Sequence, residues 1–523
     1  MRIPGTLPSL GGSRNPLLAF GWFAVVIIAA YEAAEAILKD DLTSLAFATV
    51  VLVGGAVVVA ILNDWRRGLY FLVTWILFED LVRKYLGNNM AIFFGKDVLA
   101  ITLYVSFFRA RNAQRVKKFR IPFRIPLLLY IWFGLLQVFN PASTSFFYGI
   151  LGMKVDFLYV PLIYVGYALI NSEEDLRRFF SFTCVLILIV AALGLAQSII
   201  GPTFLNPTHL QEDISALSTL YRTSSISGKA AYRPNSVFVS AGRFQDFLIV
   251  AWIFSLGYSG YLLLRMRRGR TLVFATLGVV AAASLMSTSR GVFMWNSGIA
   301  LVFMAGFLWG APWRQGEVAR VLRAIQKTTL FAGIGIIVLL TLFPEELGSR
   351  LSIYSETLMP NSPTSELVHR TQNYPLQQLE QAFTYPLWPY GYGIGTCTLG
   401  TQYVARIMHA TPMNIGVESG IGSMILELGI VGIILWIVLG FSITFSAWNV
   451  VKELRGTSWF PLGFVIFLFS CLIFFPMTFV SFSTYQDYMI NVYLWLSLGI
   501  LWRLKMFLKT AQSEHSQAFP RQS

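Results

Sequence analysis

Residues 421–447 read IGSMILELGIVGIILWIVLGFSITFSA and carry one charge, Glu427. A run this long and this apolar exceeds the hydrophobic stripe of a soluble helix and suits the ~20 residues that a helix needs to cross the hydrocarbon of a bilayer. Comparable windows lie on both sides of it, at 17–38, 42–62, 69–86, 96–108, 125–140, 157–170, 180–200, 244–264, 271–287, 292–310, 328–343, 459–481 and 487–502. Those at 69–86, 96–108 and 157–170 are shorter than a full span. The predicted fold class is an all-α polytopic membrane protein of about 12–14 transmembrane helices, with two long outer-face loops forming a partly helical cap.

Composition agrees with that reading. Of 523 residues, 55% are hydrophobic and 13% charged, and the mean hydropathy is +0.62, too little polar surface to coat a soluble protein of this size. The net charge of +14 and pI near 9.7 would suit nucleic acid, but the cations stand in short clusters between apolar runs, as in cytoplasmic loops. Membrane lipids are therefore the expected partners, and nucleic acid is not. Cys184 and Cys471 lie inside apolar windows and Cys397 in a polar loop, so no disulfide framework or cysteine metal site is expected. No cluster of His, Asp and Glu points to a metal or cofactor either. Arg2 and Arg14 ahead of the first window resemble the head of a signal peptide, but the length of that window and its Glu32 and Glu35 predict a retained span.

Loop charge orients the chain. With the N-terminus inside, the basic clusters at 66–67, 109–124, 177–178, 265–270, 314–327, 452–455 and 503–509 all fall on the cytoplasmic side, where Lys and Arg are favoured. The organisation is then an N-terminal transmembrane bundle (1–200), a first outer loop (201–243), central transmembrane helices (244–343), a large outer loop (344–420), C-terminal transmembrane helices (421–510) and a cytoplasmic tail (511–523). Loops this long are usually functional. In the second, Leu376, Leu379, Ala382 and Phe383 repeat at helical spacing before Pro386, which predicts a short amphipathic helix over the bundle. Glu79 and Arg83, and Asp80 and Lys84, stand four apart and are expected to pair locally. Inverted repeats of the kind found in secondary transporters are not evident.

Ionisable groups and permissive glycines meet a membrane boundary in 370–432. Arg370, Arg406, His409, Glu418 and Glu427 lie there with Gly391-Tyr392-Gly393-Ile394-Gly395. A carboxylate as deep as Glu427 faces a cavity or a partner by default. Nine residues along a helix turn it by about two and a half turns, so Glu418 and Glu427 are not expected to form one pair. Arg290, in the tight turn Ser287-Thr288-Ser289-Arg290-Gly291 between two windows, suits bidentate gripping of phosphate oxygens or anchoring to lipid phosphate. Arg243, closing the first outer loop, is a further phosphate candidate.

In these residues the chain resembles the O-antigen ligase and O-antigen polymerase superfamily of bacterial membrane enzymes. The resemblance rests on Ser289-Arg290-Gly291 opening a span and Arg370 before an amphipathic helix. It continues with Pro389-Tyr390-Gly391-Tyr392-Gly393-Ile394-Gly395, then His409, then Glu427-Leu428-Gly429-Ile430-Val431-Gly432. It implies a metal-independent, inverting glycosyltransferase of the bacterial cytoplasmic (inner) membrane, its active site facing the periplasm. The implied donor is an undecaprenyl-pyrophosphate-linked glycan and the acceptor a glycan, lipid or protein hydroxyl, with polysaccharide polymerisation or ligation as the outcome. Arg290 and Arg370 would hold the donor pyrophosphate and His409 would assist the acceptor hydroxyl. In the family the histidine is commonly followed at once by Asn, whereas Ala410-Thr411-Pro412-Met413-Asn414 follows here, so Glu418 stands beside His409 as the alternative base. The other readings are a transporter or lipid-linked glycan flippase and, among enzymes, a protein O-oligosaccharyltransferase.

Overall fold

The computed structural model describes residues 42–86, 90–113, 116, 118–207, 220–223, 228, 230–265, 269–312, 341, 343–358, 373–398, 400–401, 404–405 and 415–518. The helices in chain order are α1 (Leu42–Asn63), α2 (Trp65–Tyr85), α3 (Met90–Asn112), α4 (Arg124–Gln137), α5 (Phe146–Phe157), α6 (Leu162–Leu169) and α7 (Glu173–Ile200). A two-stranded ribbon follows, β1 (Tyr221–Thr223) and β2 (Ala230–Tyr232). Then come α8 (Ala241–Arg265), α9 (Arg270–Met286), α10 (Arg290–Gly310), α11 (Pro344–Leu358), α12 (Tyr374–Phe383), α13 (Gly420–Leu454), α14 (Phe460–Leu472), α15 (Ser483–Gln486) and α16 (Tyr488–Ala518).

Every predicted window between 42 and 310, and every one between 421 and 502, falls on a helix; 17–38 and nearly all of 328–343 lie outside the described residues. Six helices among the described residues are long and apolar enough to cross a membrane: Phe146–Leu169, Glu173–Ile200, Ala241–Arg265, Arg290–Gly310, Gly420–Leu454 and Phe460–Val480. The protein is a mostly helical membrane protein. The ribbon is a departure from a purely helical reading: β1 and β2 pair antiparallel with Arg222 opposite Ala231, and the Tyr221 and Tyr232 rings stand 5.7 Å apart.

The chain packs as two compact units. The smaller holds α1, α2 through Leu72, and Val98–Ala110 of α3. Within it Trp65 meets Phe107 edge-on at 5.3 Å, and a β-carbon on Gly68 would lie 2.6 Å from the Ile61 side chain, so glycine there permits the close turn into α2.

The larger unit is built on small-residue crossings, because lipid tails supply no hydrophobic drive and helices associate by close packing. α6 lies on α16: a β-carbon on Gly166 would run into the carbonyl of Leu496, and one on Gly499 into that of Ile163. Gly257 of α8 accommodates Val465 of α14, and Gly306 and Gly310 of α10 accommodate Phe464 and Phe460. α14 continues through a π-helical turn, Ile473–Met477, that contains Pro476. The carbonyls this turn releases are taken up, that of Phe474 by the Trp436 indole at 3.2 Å and that of Ile473 by Thr478 Oγ1 at 2.6 Å. Trp436, almost fully buried, also packs against Tyr130, Phe474, Phe482 and Tyr485, and so ties α4 and α13 to the α14–α15 corner.

Charge positions one end of this unit. Lys84 stands within the electrostatic reach of Asp80, as their spacing predicts, but Glu79 forms no ion pair with Arg83. Instead Glu79 meets Lys96 of α3 at 3.2 Å, and Asp80 binds both Arg83 at 3.6 Å and Arg243 of α8. Lys84 donates to the Ser236 carbonyl at 2.8 Å. All of these side chains but the half-buried Arg243 are buried, and buried charge demands partners from every packed element, whereas i,i+4 pairing suffices on an exposed face. Lys154 of α5 meets Asp97 at 2.6 Å, so acid and base alternate through the cluster. Nearby, Gln197 Oε1 accepts from the backbone of Asn235 at 2.9 Å and Ser236 at 2.6 Å, and Asn206 and Asn235 exchange amide hydrogen bonds. The ends of the first long loop are thereby ordered.

Candidate functional site

The turn from α9 to α10 is shaped by its side chains. Thr288 adopts φ 57°, and its hydroxyl donates to the Tyr232 carbonyl at 2.8 Å, fixing the turn to the ribbon. Ser289 caps α10 by accepting from Val292 N–H at 3.3 Å. Arg290 is therefore the first residue of a helix; it is buried, and its guanidinium lies 4.0 Å from Glu356 of α11.

α11 brings a second arginine to the same turn. Arg350, fully buried, donates to Met286 O at 3.1 Å and to Ser198 O and Tyr232 O at 3.4 and 3.5 Å. Met286 and Ser198 lie in the last turns of α9 and α7, where unpaired carbonyls and the negative helix ends favour a cation. Tyr354, one turn on, donates to Leu285 O at 2.9 Å, and Phe293 stacks on it at 5.0 Å. Burial pushes the Tyr354 phenol up to about 12, while Arg350 and Arg222 act against that rise. On the ribbon, burial and then the neighbouring Arg222 guanidinium draw Arg233 below the ordinary arginine range. Arg222, Arg233, Arg290 and Arg350 thus gather about one helix junction, with Glu356 among them.

The other flank of α10 borders a cleft of ≈ 130 Å³. Gln245, Asp246 and Ile249 of α8 face Ser289, Gly291, Val292 and Trp295 there, and Met477, Val480 and Thr484 close it. The sequence reading missed Asp246, although the rule that singled out Glu427, a carboxylate inside an apolar window, applies to it equally.

The remaining sequence candidates separate. Arg243 is held in the charge cluster: it binds Asp80, meets Asp487 at 3.0 Å, and lies over the Tyr488 ring at 4.1 Å. Glu418 is exposed, its backbone N–H donating to Gln378 of α12 at 3.0 Å. Glu427 is fully buried and accepts from Cys397 N–H at 2.7 Å and Thr398 Oγ1 at 2.8 Å. Glu418 and Glu427 form no pair, as expected. The carboxyl that Glu427 does neighbour is Asp156 of α5, also fully buried. Arg370, Arg406 and His409 lie outside the described residues. Among the described residues no group of three or more His, Cys, Asp and Glu could hold a metal ion.

The glycine run is packing machinery. Gly429 (φ 68°, ψ −170°) breaks α13, and the loop segment 389–393 enters the break: Tyr392 N–H donates to Leu426 O at 2.7 Å and Ile430 N–H to Pro389 O at 3.1 Å. A β-carbon on Gly391 would lie 2.6 Å from Glu427 O, and one on Gly395 would overlap the Tyr148 carbonyl of α5. No family model matches the chain, and neither the curated proteins nor the solved structures include a match.

Proposed function

We propose that the protein is a membrane glycosyltransferase that moves a glycan from a polyprenyl-diphosphate carrier to an acceptor hydroxyl. The observation that carries this reading is the convergence of Arg290, Arg350, Arg222 and Arg233 on the Ser287–Arg290 turn. Displacing a diphosphate requires cationic donors where negative charge develops, and guanidinium forks match phosphate oxygens in geometry. The order of motifs shared with O-antigen ligases and polymerases supports the same chemistry. Loop charge supports an outward-facing site, about 12–14 spans and a cap formed by 201–243 and 344–420.

The test is a deletion strain complemented with Arg290→Ala or Arg370→Ala. Loss of polymer, with accumulation of lipid-linked saccharide and unchanged membrane abundance, is expected. Full polymer from both variants would sink the reading.

The charge cluster of Glu79, Asp80, Lys96, Asp97, Lys154 and Arg243 favours a second reading, a lipid-linked glycan flippase, because intramembrane charges mark transport pathways. Liposomes with all donor on the leaflet facing the site separate the two. A new glycosidic bond supports transfer, and lipid translocation without one supports the flippase.

A further inference from the structure

The cleft on the far flank of α10 differs in chemistry from the arginine junction. It presents a carboxylate (Asp246), an amide (Gln245), two hydroxyls (Ser289 and Thr484) and an indole (Trp295) above an apolar floor of Ile249, Val292 and Met477. Gln245 Nε2 is buried without a hydrogen-bond partner, and its residue lines the cleft. The charged groups nearest Asp246 are Asp487 and Arg243, and Arg243 is bound by Asp80 and Asp487. Among the described residues no cation lines the cleft to hold a diphosphate. A neutral polyhydroxyl suits it: ring hydroxyls bond to carboxylate and amide while the apolar ring face lies on the indole. Arg290 reaches toward α11 while Ser289, Gly291 and Val292 border the cleft, so the first turn of α10 divides a cationic flank from an acidic one.

We propose that this cleft binds a sugar ring of the acceptor and that Asp246 accepts the proton of its attacking hydroxyl. The inference rests on the transferase reading and assigns its acceptor side. In the step, the acceptor O–H proton passes to the Asp246 carboxylate as the oxygen forms a bond to the anomeric carbon of the donor. The bond from that carbon to the diphosphate oxygen breaks, and its electron pair leaves with the polyprenyl diphosphate on the arginine flank. Trp295 and Gln245 position the ring.

The test uses the full-length protein in membrane vesicles of the deletion strain, which retain the accumulated lipid-linked donor, with sodium azide as an alternative nucleophile. Azide carries no proton, so attack by it needs no base. Asp246→Ala is expected to cut polymer formation by about 10²–10⁴-fold, the usual scale of general-base catalysis, and azide to restore donor consumption with a glycosyl azide detected by mass spectrometry. Arg290→Ala should yield neither product. Trp295→Ala should raise the acceptor KM and leave the azide reaction unchanged. Should Asp246→Ala fail to accumulate, the near-isosteric Asp246→Asn takes its place with the same expectations. Polymer at the wild-type rate from the Asp246 variant, with Arg290→Ala silent, overturns the assignment of Asp246 and leaves the transferase reading standing. A well-expressed Asp246 variant that is silent with azide as well overturns a proton-accepting role. Polymer at the wild-type rate from both Arg290→Ala and Arg370→Ala removes the transferase reading and this inference with it.

Discussion

The backbone N–H of Gly393 donates to the carbonyl of Glu427 at 3.0 Å, within the first turns of a membrane helix. A helix does not offer that carbonyl to an outside donor unless its own ladder is broken. Gly429 breaks it, with a backbone conformation open only to glycine. The broken ladder leaves Leu426 O, Glu427 O and Ile430 N–H to be satisfied, and Tyr392, Gly393 and Pro389 satisfy them in turn. Loop and helix are consequently one structural piece, and the Glu427 side chain extends the join to Cys397 and Thr398.

Gly429→Ala should therefore be among the most damaging single-methyl changes in the chain. The conformation costs a non-glycine residue about 1–3 kcal/mol, and the new β-carbon would lie 2.5 Å from the Pro389 carbonyl. Gly291→Ala is the control, since its β-carbon meets only Ser289 Oγ at 3.8 Å. Thermal unfolding in detergent should show a clear fall for the first variant and none for the second; equal midpoints would refute the wedge.

Glu427 is expected to act through its hydrogen bonds. Glu427→Gln keeps an oxygen in place to accept from Cys397 N–H and Thr398 Oγ1, and should fold and accumulate as wild type does. Glu427→Ala strands both donors in a buried site at about 1–3 kcal/mol each. Proteolysis of the loop around Cys397 in native membranes would report the difference. A Gln variant cleaved as fast as the Ala variant would show that the charge itself is required.

Which of these features the sequence disclosed follows from what each signal measures. Hydropathy locates the middles of helices, so the windows found α4, α7–α10, α13 and α14, while on α3 and α5 they began only at Lys96 and just past Asp156, polar residues that bury themselves against other helices. Periodicity found α12 from Leu376, Leu379, Ala382 and Phe383. It would also have found α11, where Leu347, Leu351, Tyr354 and Leu358 recur after Pro344. Side-chain partnership across elements is invisible to such signals: spacing offered Arg83 to Glu79, whereas folding gave Glu79 to Lys96. For the same reason 370–432 read as one chemical cluster. In three dimensions its glycines and Glu427 form a packing joint, Glu418 sits on the surface, and the arginine junction is assembled from Arg290 and Arg350.

The Arg243 cluster should behave as a buried network. Arg243→Met leaves Asp80 and Asp487 without their shared guanidinium, and breaking a buried pair on one side costs about 3–5 kcal/mol. Neutralising both acids in the same protein, with Asp80→Asn and Asp487→Asn, should restore much of that loss. Asparagine at 487 can still accept from Met489 and Ile490 N–H as Asp487 does. Comparing unfolding midpoints of the single, double and triple variants measures the coupling; strictly additive losses would mean that Arg243 acts elsewhere.

Cys397 offers a pH test of the loop joint. Burial, and after it the Glu427 carboxyl, push its thiol well above the ordinary value of 9.0, and the S–H donates to the Ile415 carbonyl at 3.5 Å, a bond that a thiolate cannot make. The native state thus holds this proton more tightly than the unfolded chain does. Its contribution to stability is fully present below the unfolded value and is lost as pH rises above 9.0 toward the native one. Against Cys397→Ser, whose hydroxyl does not titrate in this range, the wild-type unfolding midpoint should run parallel from pH 6 to 8 and fall away above 9. In a Cys184→Ala, Cys471→Ala background, maleimide should label the native protein at pH 8 far more slowly than the denatured one, because the thiolate is the reacting species. Labelling of the native protein at the free-thiol rate would show that the joint between the 389–398 loop and α13 opens in the resting protein.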